Sequence, residues 1–257
     1  MTAGLAIANA DWDAVQPVVA GAEPFRTWIF ANHRLDGAEL AFLDAEERLH
    51  SARLARESDR EAFIVSRIAL RSILGRACGL APQDVRFTRN SWGKLSVVGP
   101  LAGAIDFSVS HAKGLSVIAV SDGRPVGIDV EKMREFPDKS RIAADVFGDD
   151  VAQQLHESPV KLQDVLFLQL WTAAEAFVKA QGVGFAGWGG KVPLWLSEGR
   201  SPQVQFRDDH SAGAAARWAM AALLLPPGFI GSLVTGRLPE QHVGRRAKEM
   251  PVSTGCG

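Results

Sequence analysis

Residues 125–133 read PVGIDVEKM, and the alternation in this stretch decides the fold. Successive side chains of an extended strand take opposite faces. Val126, Ile128 and Val130 therefore share one face, while Gly127, Asp129 and Glu131 share the other. The β-branched residues suit a strand that packs on its apolar side. On the opposite side, two carboxylates two residues apart repel each other unless water or a cation neutralises them. A hard divalent ion such as Mg²⁺ prefers carboxylate oxygens, keeps several waters and takes further ligands from substrate phosphates. From this segment alone, an exposed strand end whose Asp and Glu merely face water explains the pair equally well.

Upstream, VRFTRN, LSVVG, AIDFSVS and LSVIAVS are short β-rich runs separated by SWGK, GPLAG and HAKG, which predicts a set of adjacent strands. They follow a helical pattern from Asp44 to Gly79. Ser58 with Glu61 three residues on forms a capping-box signature that predicts the start of the second helix there. Phe63, Ile64, Ile68, Leu70 and Leu74 form its buried face. Arg60, Arg67 and Arg71 make a basic stripe, read as a solvated helix face because long basic side chains usually sit there.

Downstream of the opening stretch the same order recurs. A helical region runs from about Lys139 to Gln181 with a break near Ser158 and Pro159, and VPLWLS, PQVQFRD, RWAMAALLL and IGSLVTG then read as strands. Helices followed by strands, twice over, predict an α+β fold of two halves divided between Ser121 and Pro125, although no sequence period links them. The expected division is residues 1–123, residues 124–243 and a disordered tail over residues 244–257.

Bulk properties narrow the function. A net charge of −1 over 257 residues supplies no whole-molecule field for nucleic acid or an anionic membrane, so any anion must be bound by local clusters of Arg and Lys. The two cysteines, Cys78 and Cys256, make no disulfide framework and lack metal-ligand spacing, as in a reducing compartment. The first residues have no basic n-region, and Asp11 and Asp13 interrupt their apolar runs; a cytoplasmic protein without a membrane span is expected.

Two further segments carry chemistry. FSVSHAKG places Ser110 and His111 at the end of an apolar strand, rigid yet within reach of a ligand. Neither a GxSxG elbow nor a glycine-rich phosphate loop leading into a helix is present, so serine-hydrolase and P-loop chemistry lack their defining geometry. The second segment is LWTAAEAFVKAQGVG, residues 170–184. Projected as a helix, Phe167, Leu170, Trp171, Ala174, Phe177 and Val178 form an apolar arc with Glu175 at its margin and Lys179 one turn on. An exposed pair at this spacing contributes only about 0.3–0.5 kcal/mol, and in isolation it reads as a surface salt bridge. GVGFAGWGG, residues 182–190, suits a mobile or ligand-covering loop.

Taken together, these segments resemble the surfactin-type 4′-phosphopantetheinyl transferases. VGIDVE resembles that family's metal-binding strand, WTAAEAFVK its signature helix, DVRFTRNSWGKL its coenzyme A loop and FSVSHAKGLSVIAVS the strand and His before the metal site. LDAEERLHSARLARESDREAFIVSRIALRSILGR and LLLPPGFIGSLVTG match its N-terminal helices and late strand pair, so the resemblance runs from Trp28 to Val234.

The resemblance implies two similar α+β halves related by a pseudo-twofold axis, with coenzyme A between them. It implies Asp129, Glu131 and Glu175 as ligands of a Mg²⁺ ion, Ser110 and His111 on the phosphates, and Arg89 and Lys94 at the nucleotide end. Glu175 and Lys179 would be catalytic. The implied reaction moves 4′-phosphopantetheine from coenzyme A to a serine of an apo acyl or peptidyl carrier protein and releases 3′,5′-ADP, in a monomeric cytoplasmic transferase. The signature's Lys before the Glu is Ala174 here, GKL replaces the usual GKP, and His50 stands where a basic residue is common. Ala174 is expected to remove a cation from the site region, which makes a weakened member that binds without efficient transfer the alternative.

Overall fold

The computed structural model describes residues 25–32, 39–99, 101–197, 202–207 and 217–237. The expected tail, residues 244–257, lies outside the described residues. Strand β1 (Phe25–Ala31) opens the described chain, followed by helices α1 (Ala45–Arg53) and α2 (Glu57–Cys78). A small hairpin, β2 (Arg86–Arg89) and β3 (Leu95–Val98), leads to β4 (Asp106–Ala112) and β5 (Leu115–Ser121). The chain then repeats this plan. Strand β6 (Val126–Lys132) precedes helices α3 (Lys139–Val146), α4 (Asp149–Glu157), α5 (Val160–Gln181) and a single turn, α6 (Gly184–Gly187). The hairpin β7 (Leu194–Leu196) and β8 (Val204–Phe206) and the strand pair β9 (Trp218–Ala222) and β10 (Phe229–Gly236) complete it.

The sheets are antiparallel and ordered β1-β5-β4 and β6-β10-β9. In each half the first strand pairs with the last, and the last pairs with the penultimate. Each half also carries one helix of 22 residues, α2 or α5. Both helices end on a left-handed glycine, Gly79 at φ 67° and Gly182 at φ 76°, where a Cβ would be strained. Beyond each glycine the next residue donates back to the last turn, Leu80 to the Gly75 carbonyl and Val183 to the Val178 carbonyl. The α+β architecture is thus a repeated topology.

Differences from the expected elements have local causes. The capping box sits at the start of α1, where Asp44 accepts from the Glu47 amide and Glu47 from the Asp44 amide. Ser58 lies within the first turn of α2, whose N-cap is Arg56 without a side-chain cap. The helical region breaks at Gly148 as well as at Pro159, and residues 184–187 form the turn α6 where a loop was expected.

The stripe on α2 is not solvated. Arg71 is fully buried, donating from Nε to Glu47, from one NH group to Asp44 at 2.7 Å and from the other to the Val85 carbonyl at 2.6 Å. That satisfied network explains why a guanidinium survives in the core.

The halves meet edge to edge. Beside β4 and β6 no backbone ladder forms; side chains of β4 accept the alternate amides of β6. Asp106 takes the Val126 N–H at 2.8 Å, Ser108 the Ile128 N–H at 3.1 Å and Ser110 the Val130 N–H at 3.4 Å. A strand edge is thereby satisfied without continuing the sheet. On the apolar face, Val126, Ile128 and Val130 pack with Ile29, Val117, Ala119 and Leu233 in a core shared by both halves.

Candidate active site

Helix α5 lies across the face of β6 that carries Gly127, Asp129 and Glu131. A Cβ on Gly127 would stand 1.8 Å from the Ala176 carbonyl oxygen and 2.6 Å from the Ala180 nitrogen. Only glycine permits this approach. It brings Lys179 onto Asp129, with Nζ 2.6 Å from Oδ1. Lys179 also donates to the Ile128 carbonyl and to Ser110 Oγ, each at 3.3 Å. Behind this contact, Thr172 and Ser232 share a buried hydrogen bond of 2.9 Å that fixes the helix to β10.

Asp129 is 5% exposed, so an exposed strand end does not account for it. Its Oδ1 accepts from Ser110 Oγ at 2.7 Å as well as from Lys179. The other oxygen, Oδ2, is buried without a hydrogen-bond partner. Glu131 is half-buried, bonded by Trp171 and 3.7 Å from Arg134. Burial, then Asp129, pushes its carboxyl above the ordinary carboxylate value. Burial likewise raises Glu175; Lys179 offsets this in part, and Asp129 and Glu131 add to it. Glu131 thus feels Asp129, Glu175 feels both, Lys179 compensates them with Arg134 at Glu131, and one oxygen of Asp129 is unsatisfied. Such a set suits a hard cation, although among the described residues no three acidic, His or Cys side chains already converge as a metal cage.

His111 follows Ser110 as the penultimate residue of β4. Desolvation and then Lys179 lower its pKa below the usual imidazole value, which favours the neutral ring.

A cleft of about 250 Å³ opens between the halves. It is lined by α2 through Arg67, by the β2–β3 turn through Trp92 and Lys94, by β4 through Ser108 and by Lys179 and Gly182 at the end of α5. Asn90 ties the turn to α5 by donating to the Gly182 carbonyl at 2.7 Å. Lys94 reaches this cleft, but its Nζ is 2.6 Å from Asp106. Arg89 faces a neighbouring depression beside Asp44 and Glu47, 3.6 Å from Glu46.

The structure therefore joins Ser110, Asp129 and Lys179 by hydrogen bonds, keeps Glu131 two residues on along the same strand face and Glu175 one turn before Lys179 on α5, and sets Lys94 and Arg89 further along. The sequence reading missed Arg67 as a cleft residue and Asp106 and Ser108 as the joint between the halves. The alternation D-x-S-x-S in DFSVS was the available signal for the joint. Ala174 is fully buried in the core of the second half with Phe147, Leu170 and Phe177.

The family model of the 4′-phosphopantetheinyl transferase superfamily matches residues 125–222, the span from β6 to β9. The slr0495 protein of Synechocystis sp., whose 4′-phosphopantetheinyl transferase name is provisional, is 34% identical over 147 residues, 57% of this chain and 60% of that protein. The 4′-phosphopantetheinyl transferase HetI of Nostoc sp. is 33% identical over 159 residues, 59% of this chain and 67% of HetI. The 4′-phosphopantetheinyl transferase Sfp of Bacillus subtilis is 27% identical over 172 residues, 67% of this chain and 75% of Sfp. The match thus spans about three fifths of the length of the first of these relatives.

Proposed function

The chain belongs to the 4′-phosphopantetheinyl transferase superfamily, and from that premise we propose that it transfers 4′-phosphopantetheine from coenzyme A to a serine of an apo acyl or peptidyl carrier protein, releasing 3′,5′-ADP. The observation that supports this reading is the contact of Asp129 with Ser110 and Lys179 where α5 crosses β6 beside the cleft between the halves, with Glu175 one turn before Lys179 on the same helix. Among the described residues no helix is long and apolar enough to cross a membrane.

Asp129, Glu131 and Glu175 would hold a Mg²⁺ ion, with the unpartnered Oδ2 of Asp129 as one donor. Such an ion supplies charge neutralisation on phosphoryl oxygens. The residues of the chain do the rest. The serine Oγ of the carrier attacks the β-phosphate of coenzyme A, and the bond from that phosphorus to the bridging oxygen breaks, with the electron pair leaving on 3′,5′-ADP. Glu175 takes the serine proton, directly or through one water; its raised pKa brings it nearer the pH at which a base is both ionised and effective. Lys179 meets the charge that develops on the pyrophosphate oxygens, held in place by Ser110 and the Ile128 carbonyl. His111 and Ser110 orient the phosphates. Lys94 and Arg89 serve the nucleotide end, Lys94 once its bond to Asp106 is shared with the ligand.

Incubating the protein with apo carrier proteins, coenzyme A and Mg²⁺ should add one phosphopantetheine mass to a carrier, seen by intact-protein mass spectrometry. If no carrier in a panel from fatty-acid, polyketide and nonribosomal peptide systems is modified, the proposal fails.

A further inference from the structure

The β2–β3 turn belongs to the first half, yet it is fastened to the second. Asn90 shapes the turn itself. Its Oδ1 accepts from the Trp92 amide at 3.0 Å and from the Lys94 amide at 2.9 Å. Its backbone N–H donates to the Lys94 carbonyl, and its carbonyl accepts from the Gly93 amide, each at 3.0 Å. The side-chain NH2 points the other way and donates to the Gly182 carbonyl at 2.7 Å. Asparagine alone among short side chains offers both an acceptor for its own turn and a donor for a neighbouring carbonyl.

Gly182 is the left-handed residue that ends α5, at φ 76°, three residues beyond Lys179. The turn fits closely against it: a Cβ on Gly182 would stand 3.3 Å from Lys94 Cδ and 3.4 Å from Asn90 Nδ2. The Trp92 ring makes a second contact, on Gly187 of α6, where a Cβ would come within 2.8 Å of its Cδ2. From the turn so held, Lys94 Nζ reaches Asp106 at 2.6 Å and the Val126 carbonyl at 3.4 Å, on the seam between β4 and β6. A lysine carries its ammonium on a flexible four-carbon stem, so the place of that charge depends on where the backbone is anchored.

We propose that Asn90 is a positioning residue of this cleft: by bonding the Gly182 carbonyl it fixes the β2–β3 turn on the end of α5 and so places the ammonium of Lys94 for the nucleotide end of the co-substrate. This rests on the reading of the cleft as the coenzyme A site. Asn90 touches no reacting group and acts through Lys94.

Calorimetric titration of coenzyme A into the wild type, Asn90→Ala, Lys94→Ala and the double variant tests it. Asn90→Ala should weaken binding by about five- to tenfold, as loss of a hydrogen bond does. In the Lys94→Ala background the same change should weaken it little further, because residues that act through one another are not additive. With a carrier that the wild type modifies, Asn90→Ala should raise KM for coenzyme A by a similar factor and lower kcat far less, since Lys179 keeps its bonds to Asp129 and the Ile128 carbonyl. Should Asn90→Ala melt early, Asn90→Ser carries the same comparison, because its hydroxyl still accepts from the turn amides but is too short to reach Gly182. Wild-type affinity in the folded variant, a loss as large in the Lys94→Ala background as in the wild type, or a fall in kcat at constant KM overturns the assignment. A wild type that binds no coenzyme A overturns the reading of the cleft instead.

Discussion

Gly127→Ala should separate the site from the fold more sharply than removal of any charged residue. The added Cβ would lie 1.8 Å from the Ala176 oxygen, so helix and strand must part by roughly 1.5–2 Å to reach van der Waals contact. Overpacking of this kind costs about 1–3 kcal/mol or more. The same displacement would pull Lys179 from its 2.6 Å contact with Asp129 and move Glu175, and a misplacement of about 1 Å can cost on the order of a hundredfold in rate. The expected result is a folded protein with a lowered melting temperature and transfer reduced by about two orders of magnitude or more, at temperatures where circular dichroism shows it native. Gly189→Ala serves as control, because nothing lies within 4 Å of a Cβ there. A Gly127→Ala variant with wild-type melting and wild-type turnover would refute the claim that backbone approach at this glycine sets the site.

Three further predictions follow the same logic. Ser108→Ala leaves the buried Ile128 N–H without its acceptor and should cost about 1–3 kcal/mol in denaturant unfolding with little change in kcat, whereas Ser110→Ala also strips a partner from Asp129 and Lys179 and should lower both; equal kcat in the two variants would contradict this. The folded carboxyl of Glu175 titrates above its ordinary 4.5, so its ionisation destabilises the fold above that raised value, and the penalty fades as pH falls toward 4.5. Glu175→Gln in chelator should therefore melt higher than wild type near neutral pH, with the difference closing under acid, while transfer is lost. Mg²⁺ together with coenzyme A should raise the melting temperature of the wild type through mass action but not that of Asp129→Ala, as read by scanning calorimetry.

How much of this was legible in the sequence depended on whether a residue's partner was local. The face shared by Gly127, Asp129 and Glu131 followed from strand alternation, and the helical spacing of Glu175 and Lys179 followed from periodicity. That Lys179 bonds Asp129 rather than Glu175 depends on how closely α5 can approach β6, a long-range fact carried by Gly127. The β-runs were recognisable from VRFTRN onward, but FRTWIFA was not read as a strand, although Pro24 and Asn32 flank it, and its pairing partner, β5, lies some ninety residues later. The stripe on α2 misled for a related reason. A spacing of seven and four residues puts Arg60, Arg67 and Arg71 near one line of the helix, yet a small rotation separates Arg71, fully buried among acceptors from α1 and Val85, from Arg67 at the cleft.

The repeated topology also bears on Ala174. Counted back from their capping glycines, Ala174 of α5 and Arg71 of α2 occupy the same place, and both are fully buried. A cation survives at the α2 position because Asp44, Glu47 and the Val85 carbonyl surround it with acceptors. The α5 position lies in an apolar core cluster that also contains Phe147, Leu170 and Phe177, where a buried ammonium would need acceptors around it. The change from the signature's Lys to Ala174 is therefore matched by its surroundings.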